Sequence, residues 1–254
     1  MLATIEVVLE FPNHEKIYPA MGSIMHGALM DSLSQETATY FHTMSLRPYS
    51  QCIRWDKESQ QPIWRIGTLT DYAFTQIMEA LQSVSHIYLK QKGYAIQVQR
   101  ITVKKQLSYE ELARSFLQAE SPPSGADYEF LTVTGFKQAG RYVIWPNNQL
   151  MYQNLLNRWN TFSPHVKLEA EALAVQLDAH CRLMRYQLHS QAFPIEGRLV
   201  YGFSGSQRLT FYGYDMLKRL QGLLAIFAEF SGIGIKTALG MGAVHTHVIY
   251  KEIL

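Results

Sequence analysis

The feature that most constrains this chain is an order of elements that occurs twice, once on each side of a short linker. Residues 121–127 read SPPSGAD, two prolines and a glycine among small polar residues, the composition of a connection between folded units. Before it, Ala3–Phe11 holds Ile, Val, Val, Leu and Phe in a short run and predicts a strand. Gly22–Phe41 carries Ile24, Met25, Ala28, Leu29 and Leu33 at spacings of three and four, which predicts one helix with a single apolar face. Ser50–Trp55 and Pro62–Leu69 predict two strands around the polar turn DKESQQ. A second helix is expected from Asp71, read as its cap, to Val84, and strands return at His86–Leu89 and Tyr94–Val103. The order β-α-β-β-α-β is the split βαβ of a ferredoxin-like fold. A short helix capped by Ser108 then leads into the linker.

Beyond the linker the order returns. Tyr128–Lys137 and Arg141–Trp145 predict a hairpin-like pair or one interrupted strand, and Asn148–Trp159 a helix. Leu183–Gln191, Leu199–Phe203 and Leu209–Tyr212 predict strands. Asp215 is expected to cap an apolar helix running to Phe230, and Val244–Tyr250 to form the last strand. Val166–His180 has helical composition and reads as an insertion. The expected fold class is α+β, two tandem ferredoxin-like (βαββαβ) domains, divided as residues 1–123 and 124–254.

Hydrophobic residues make up 47% of the chain and charged residues 17%, which excludes a disordered polymer. A net charge of +2 gives too weak a global field to announce a polyanion partner. Its distribution says more. Residues 90–105 hold Lys90, Lys92, Arg100, Lys104 and Lys105 with no acid among them, and from Cys181 onward eight Lys and Arg stand against four Asp and Glu. Cys52 and Cys181 lack CxxC spacing, which excludes a zinc finger or disulfide framework and predicts a reducing compartment. No signal-like start and no long apolar run is present, so a cytoplasmic protein without a membrane partner is expected.

Residues 231–244 read SGIGIKTALGMGAV, with Gly232, Gly234, Gly240 and Gly242 in the pattern G-h-G-x5-G-h-G, where h is apolar. Exposed amides of such a loop can hydrogen-bond phosphate oxygens, with Lys236 adding a charge and Thr237 a hydroxyl. Neither familiar nucleotide pattern fits. The Lys-Thr pair follows Ile235 rather than a glycine, and Thr237 stands where a dinucleotide fingerprint needs its third glycine. The block and the basic residues Lys104 and Lys105 are the expected nucleic-acid contacts.

The stretch Ala228–Val244, with the apolar helix before it, resembles the C-terminal signature of the CRISPR-associated repeat-RNA endoribonucleases, members of the RAMP superfamily of tandem ferredoxin-like proteins. GFKQAGRYVIWPNNQLMYQNLLNRWN (135–160) and Gly27–Tyr49 extend the likeness more weakly. The resemblance implies cleavage of CRISPR repeat RNA without metal or other cofactor, by attack of a 2′-hydroxyl that leaves a 2′,3′-cyclic phosphate and a 5′-hydroxyl. It places a catalytic histidine at the end of the first helix, where this chain has TYFHTMSLRPYS and therefore His42. Family members carry a tyrosine earlier in that helix. Met30 occupies the place here, so Tyr40 is the expected partner and Arg47 the expected phosphorane-stabilising charge. His26 lies 16 residues before His42, about 160° round an unbroken helix, and is ranked lower. A non-catalytic RNA-binding subunit of a CRISPR effector complex is the alternative reading. A homodimer and an effector complex are the further partners considered.

Overall fold

The first half builds a five-stranded antiparallel sheet in the order β2-β3-β1-β5-β4. Its elements are β1 (Leu2–Glu10), α1 (Gly22–Ser32), α2 (Gln35–Thr43), β2 (Tyr49–Asp56), β3 (Gln61–Thr68), α3 (Asp71–Gln82), β4 (His86–Leu89) and β5 (Tyr94–Leu107). In β1, Ile5, Val7 and Leu9 alternate into one core against α1 and α3, while Glu6 and Glu10 avoid full burial. The computed structural model describes residues 1–168, 170–195 and 197–250.

The second half repeats the plan with β6 (Gly125–Thr134), β7 (Phe136–Gln138), β8 (Arg141–Val143), α5 (Asn148–Phe162), α6 (Ala170–Ala179), β9 (Cys181–Ile195), β10 (Arg198–Phe211), α7 (Asp215–Ser231) and β11 (Val244–Ile249). Its main sheet runs β11-β6-β10-β9 and is antiparallel throughout, while β7 and β8 form a small separate hairpin. Setting aside the extra edge strand β4, both sheets have the strand order fourth-first-third-second. That is the split βαβ twice over, so the two tandem ferredoxin-like halves expected from the sequence are the observed fold.

Five local readings are corrected. The segment 22–43 is two helices, because Leu33 is extended (ψ 160°) and Ser34 caps a new helix by accepting from the Thr37 amide at 3.2 Å. Thr70 caps α3, with Asp71 in its first turn, and Tyr214 precedes α7 without a side-chain cap. The strands expected at 199–203 and 209–212 are one strand, β10, carried across an irregularity in its pairing with β6 between Phe203 and Gly205. The helix α4 (Tyr109–Leu117) precedes the linker, yet Tyr109, Leu112, Ala113 and Phe116 are buried in the second core beside Trp159 and Phe227. By packing, α4 therefore goes with residues 124–254. Among the described residues no helix is long and apolar enough to cross a membrane.

The halves meet along a polar seam. Ser50 Oγ donates to the Phe230 carbonyl at 2.7 Å, and Gln51 Nε2 donates to the carbonyls of Gly22 (2.7 Å) and Ala238 (3.0 Å). Gln51 Oε1 in turn accepts from Trp64 Nε1 at 3.0 Å. Each of these groups is buried, so losing one bond strands its partner at about 1–3 kcal/mol. Glu229, its side chain 1% exposed, receives Lys105 Nζ from the first half at 2.5 Å, with His245 Nδ1 at 2.8 Å and the Thr246 amide at 2.9 Å. Burial pushes this carboxyl up, but the three hydrogen bonds outweigh it and hold the pKa at about 2.

Candidate active site

The break at Leu33–Ser34 determines what the first half displays. A straight helix would send His26 away from His42. Instead the chain breaks at Leu33–Ser34, and the charge at His42 is felt at His26. His42 sits exposed in the last turn of α2. Just beyond it the Arg47 guanidinium folds back to donate to the Met44 carbonyl. Pro48 then turns the chain into β2, whose first side chain, Tyr49, is fully buried.

Tyr49 lies beside both His26 and Phe41. Its hydroxyl is 2.9 Å from His26 Nδ1, and the two rings stack with centroids 6.3 Å apart. Phe41 packs against it as well, with ring centroids 5.4 Å apart. Burial, then the charges of Arg47 and His42, lower the His26 pKa to about 4, while the Ala238 carbonyl works in the opposite direction. Burial raises the Tyr49 phenol above its ordinary value despite Arg47. The site thus joins one exposed histidine, one histidine held neutral and one guanidinium, groups able to exchange a proton and to offset a negative charge.

The glycine-rich block lies against this site from the second half, but not as the exposed cradle expected. All four of its glycines are buried. The Gly232 amide donates to Ala228, that of Gly234 to Asn154 Oδ1 (2.8 Å), that of Gly240 to Thr237 and that of Gly242 to Val133 (2.9 Å). These amides are spent inside the fold, so the expectation that they bind phosphate is corrected. The glycines serve close packing. At Gly242 (φ +70°) a Cβ would lie 2.0 Å from the Ile233 carbonyl oxygen, and at Gly234 (φ +86°) one would lie 2.2 Å from that of Gly135. Thr237 is buried as well, its methyl lying where a Cβ on Gly232 or Gly242 would meet it. Lys236 differs. It is half-buried in a left-handed backbone conformation, and among the described residues no acid pairs with it.

Four of the five basic residues of the first half's run are paired with acids. Lys90 pairs with Asp31 at 2.6 Å, Lys92 with Glu15 at 2.7 Å, Lys104 with Glu6 at 3.5 Å and Lys105 with Glu229 at 2.5 Å. The acids are distant in sequence, so a local count could not register the neutralisation. Tyr40 is turned toward another helix. Two residues from His42 it lies about 200° round α2, and its ring meets Tyr72 of α3 edge-on at 5.5 Å. His26, ranked below Tyr40 on helix geometry, and Tyr49, not singled out, are the residues that join His42 and Arg47 here. The signal that reveals them is Ser34, a capping residue inside an apolar-periodic run. Among the described residues no group of three or more His, Cys, Asp and Glu is placed to hold a metal ion.

Known proteins share this sequence and fold. The family model for CRISPR-associated endoribonuclease Cas6 matches residues 128–244. The chain is 30% identical over 243 residues to the Cas6 endoribonuclease of Mycobacterium tuberculosis, covering 95% of this chain and 76% of that one. It is 27% identical over 219 residues to that of Streptococcus thermophilus, covering 86% and 88%. In structure it is similar to a Cas6 product complex (TM-score 0.80, 22% identity, 97% of this chain and 100% of that one). It is likewise similar to Thermus thermophilus Cas6 (TM-score 0.75, 22% identity, 97% and 98%). The structural likenesses bear on the fold, and the Mycobacterium relative, matched over nearly the whole chain, bears on the family: the chain belongs to the CRISPR-associated endoribonuclease Cas6 family.

Proposed function

We propose that this chain cuts CRISPR precursor RNA within its repeats and releases the guide RNA that an effector complex takes up. The observation that carries the reading is that His42, at the end of α2, and Arg47, in the loop after it, lie near enough to His26 of α1 for both charges to act on its ring. The His42 imidazole takes the proton of the 2′-hydroxyl next to the scissile phosphate. The freed oxygen attacks phosphorus, the bond to the 5′-oxygen breaks, and the imidazolium returns the proton to that oxygen. The products are a 2′,3′-cyclic phosphate and a 5′-hydroxyl, with no proton gained or lost. Arg47 faces the charge that grows on the phosphorane, and neutral His26 supplies an N–H to it.

Residues 1–123 carry the reacting groups in this reading, and residues 124–254 bring Lys236 to the RNA backbone. The test is incubation of the pure protein with labelled repeat RNA in excess chelator, followed by analysis of the fragment ends. A discrete cut ending in a cyclic phosphate is expected. A repeat that is bound and left whole would replace the nuclease with a non-catalytic RNA-binding subunit.

A further inference from the structure

The hydroxyl of Tyr49 and Nδ1 of His26 are 2.9 Å apart, and either atom can be the donor. The surroundings decide between the two arrangements. If Nδ1–H donated, the phenol hydrogen would need another acceptor, and Tyr49 is wholly buried. The alternative acceptor beside it is Met30 Sδ at 3.9 Å, a thioether and a weak one. Donation from the phenol to Nδ1 leaves no buried hydrogen stranded. It also keeps the ring proton on Nε2.

We propose that Tyr49 is a positioning residue, which donates to His26 Nδ1 and so fixes His26 as the neutral Nε2–H tautomer, its one N–H shared between the Ala238 carbonyl and the scissile phosphate. This rests on the proposed reaction at His42. The groups facing His26 are His42 from α2, Arg47 from the loop after it, Tyr49 from β2 and the Ala238 carbonyl from the glycine-rich block. Two of them carry or gain positive charge, so a second imidazolium here would be opposed by both. The consequence is a division of labour between two histidines of one site. His42 exchanges the proton, and His26 stays neutral and directs a fixed N–H, which a tautomer error would turn away.

The test reads the tautomer and the rate separately. Imidazole nitrogen spectra of isotope-labelled, RNA-free protein are recorded from about pH 5 to 8 for wild type and Tyr49→Phe, with His26→Asn to assign the signals. Wild-type His26 is expected as one Nε2–H tautomer throughout, and Tyr49→Phe as a tautomer mixture that titrates. Single-turnover cleavage by Tyr49→Phe is expected to fall about 10- to 100-fold, with repeat-RNA affinity within about twofold of wild type. An Nδ1–H tautomer or an imidazolium in wild type would overturn the proposal, even if the variant failed to fold. So would a folded Tyr49→Phe that cuts at the wild-type rate. Wild-type protein that shows the expected tautomer but leaves repeat RNA whole would instead remove the reaction, a failure told apart because the spectra need no RNA.

Discussion

The two halves of this molecule share one topology and use it in opposite ways. In the first, the crossover from β1 to β2 breaks at Leu33–Ser34, and His42 and Arg47 beyond the break act on His26 before it. In the second, the connection from α7 to β11 is dense in glycine, and its glycine amides are consumed by internal hydrogen bonds. One region is built for reactivity and the other for close approach. A glycine-rich loop is therefore no sign of an open anion cradle until its amides have been counted.

The sharpest way to break that contrast is to add a methyl group where the second half has no room. Gly242→Ala combines a left-handed backbone with a Cβ 2.0 Å from a carbonyl oxygen. We expect a loss of about 3–5 kcal/mol in denaturant unfolding. Gly140→Ala has a similar φ of +80° but open space around it, and is expected to cost only about 1–2 kcal/mol. Equal losses would mean that conformation, not crowding, sets the glycine requirement.

Two lysines divide along the same line. Lys105→Met should lower stability by about 2–3 kcal/mol, because the Glu229 carboxylate stays buried with fewer partners. Lys236→Ala should leave stability alone, weaken repeat-RNA binding and reduce its salt slope by about one phosphate contact. The reverse pattern would exchange their assigned roles.

Acid should loosen the halves in two windows. The His26 pKa is lowered from 6.5 to about 4, so between these values the unfolded chain takes a proton that the folded site refuses. Stability from this group is present above 6.5 and is lost as pH falls toward 4. That of Glu229 is lowered from 4.5 to about 2, so its contribution is present above 4.5 and is lost as pH falls toward 2. Melting temperatures measured against pH should show both declines, and His26→Asn should flatten only the first. Tyr40→Phe, on the face turned to Tyr72, is expected to change the cleavage rate by less than about twofold. A large loss would return Tyr40 to the site.

The topology was legible because strand alternation, helix spacing and the linker are local patterns that all pointed to the same order. His42 and Arg47 could be singled out only through a resemblance, and their proximity to His26 needed the helix break. That break was written at Ser34, yet the apolar spacing of Met25, Ala28, Leu29 and Leu33 ran into it and concealed it. The charge pairs were not legible, since Asp31, Glu15, Glu6 and Glu229 reach their lysines from 59 to 124 residues away in sequence. The glycine block was found but misread, because its pattern is the same whether the amides face solvent or the fold.

The central claim is that His42 moves the proton while the second half supports the fold and holds RNA. Single-turnover cleavage of labelled repeat RNA by His42→Ala, alongside its binding curve, tests that claim directly. A fall of about 10²- to 10⁴-fold in rate with affinity within about twofold of wild type is the expected result. Cleavage near the wild-type rate, or loss of binding equal to the loss of rate, would contradict it.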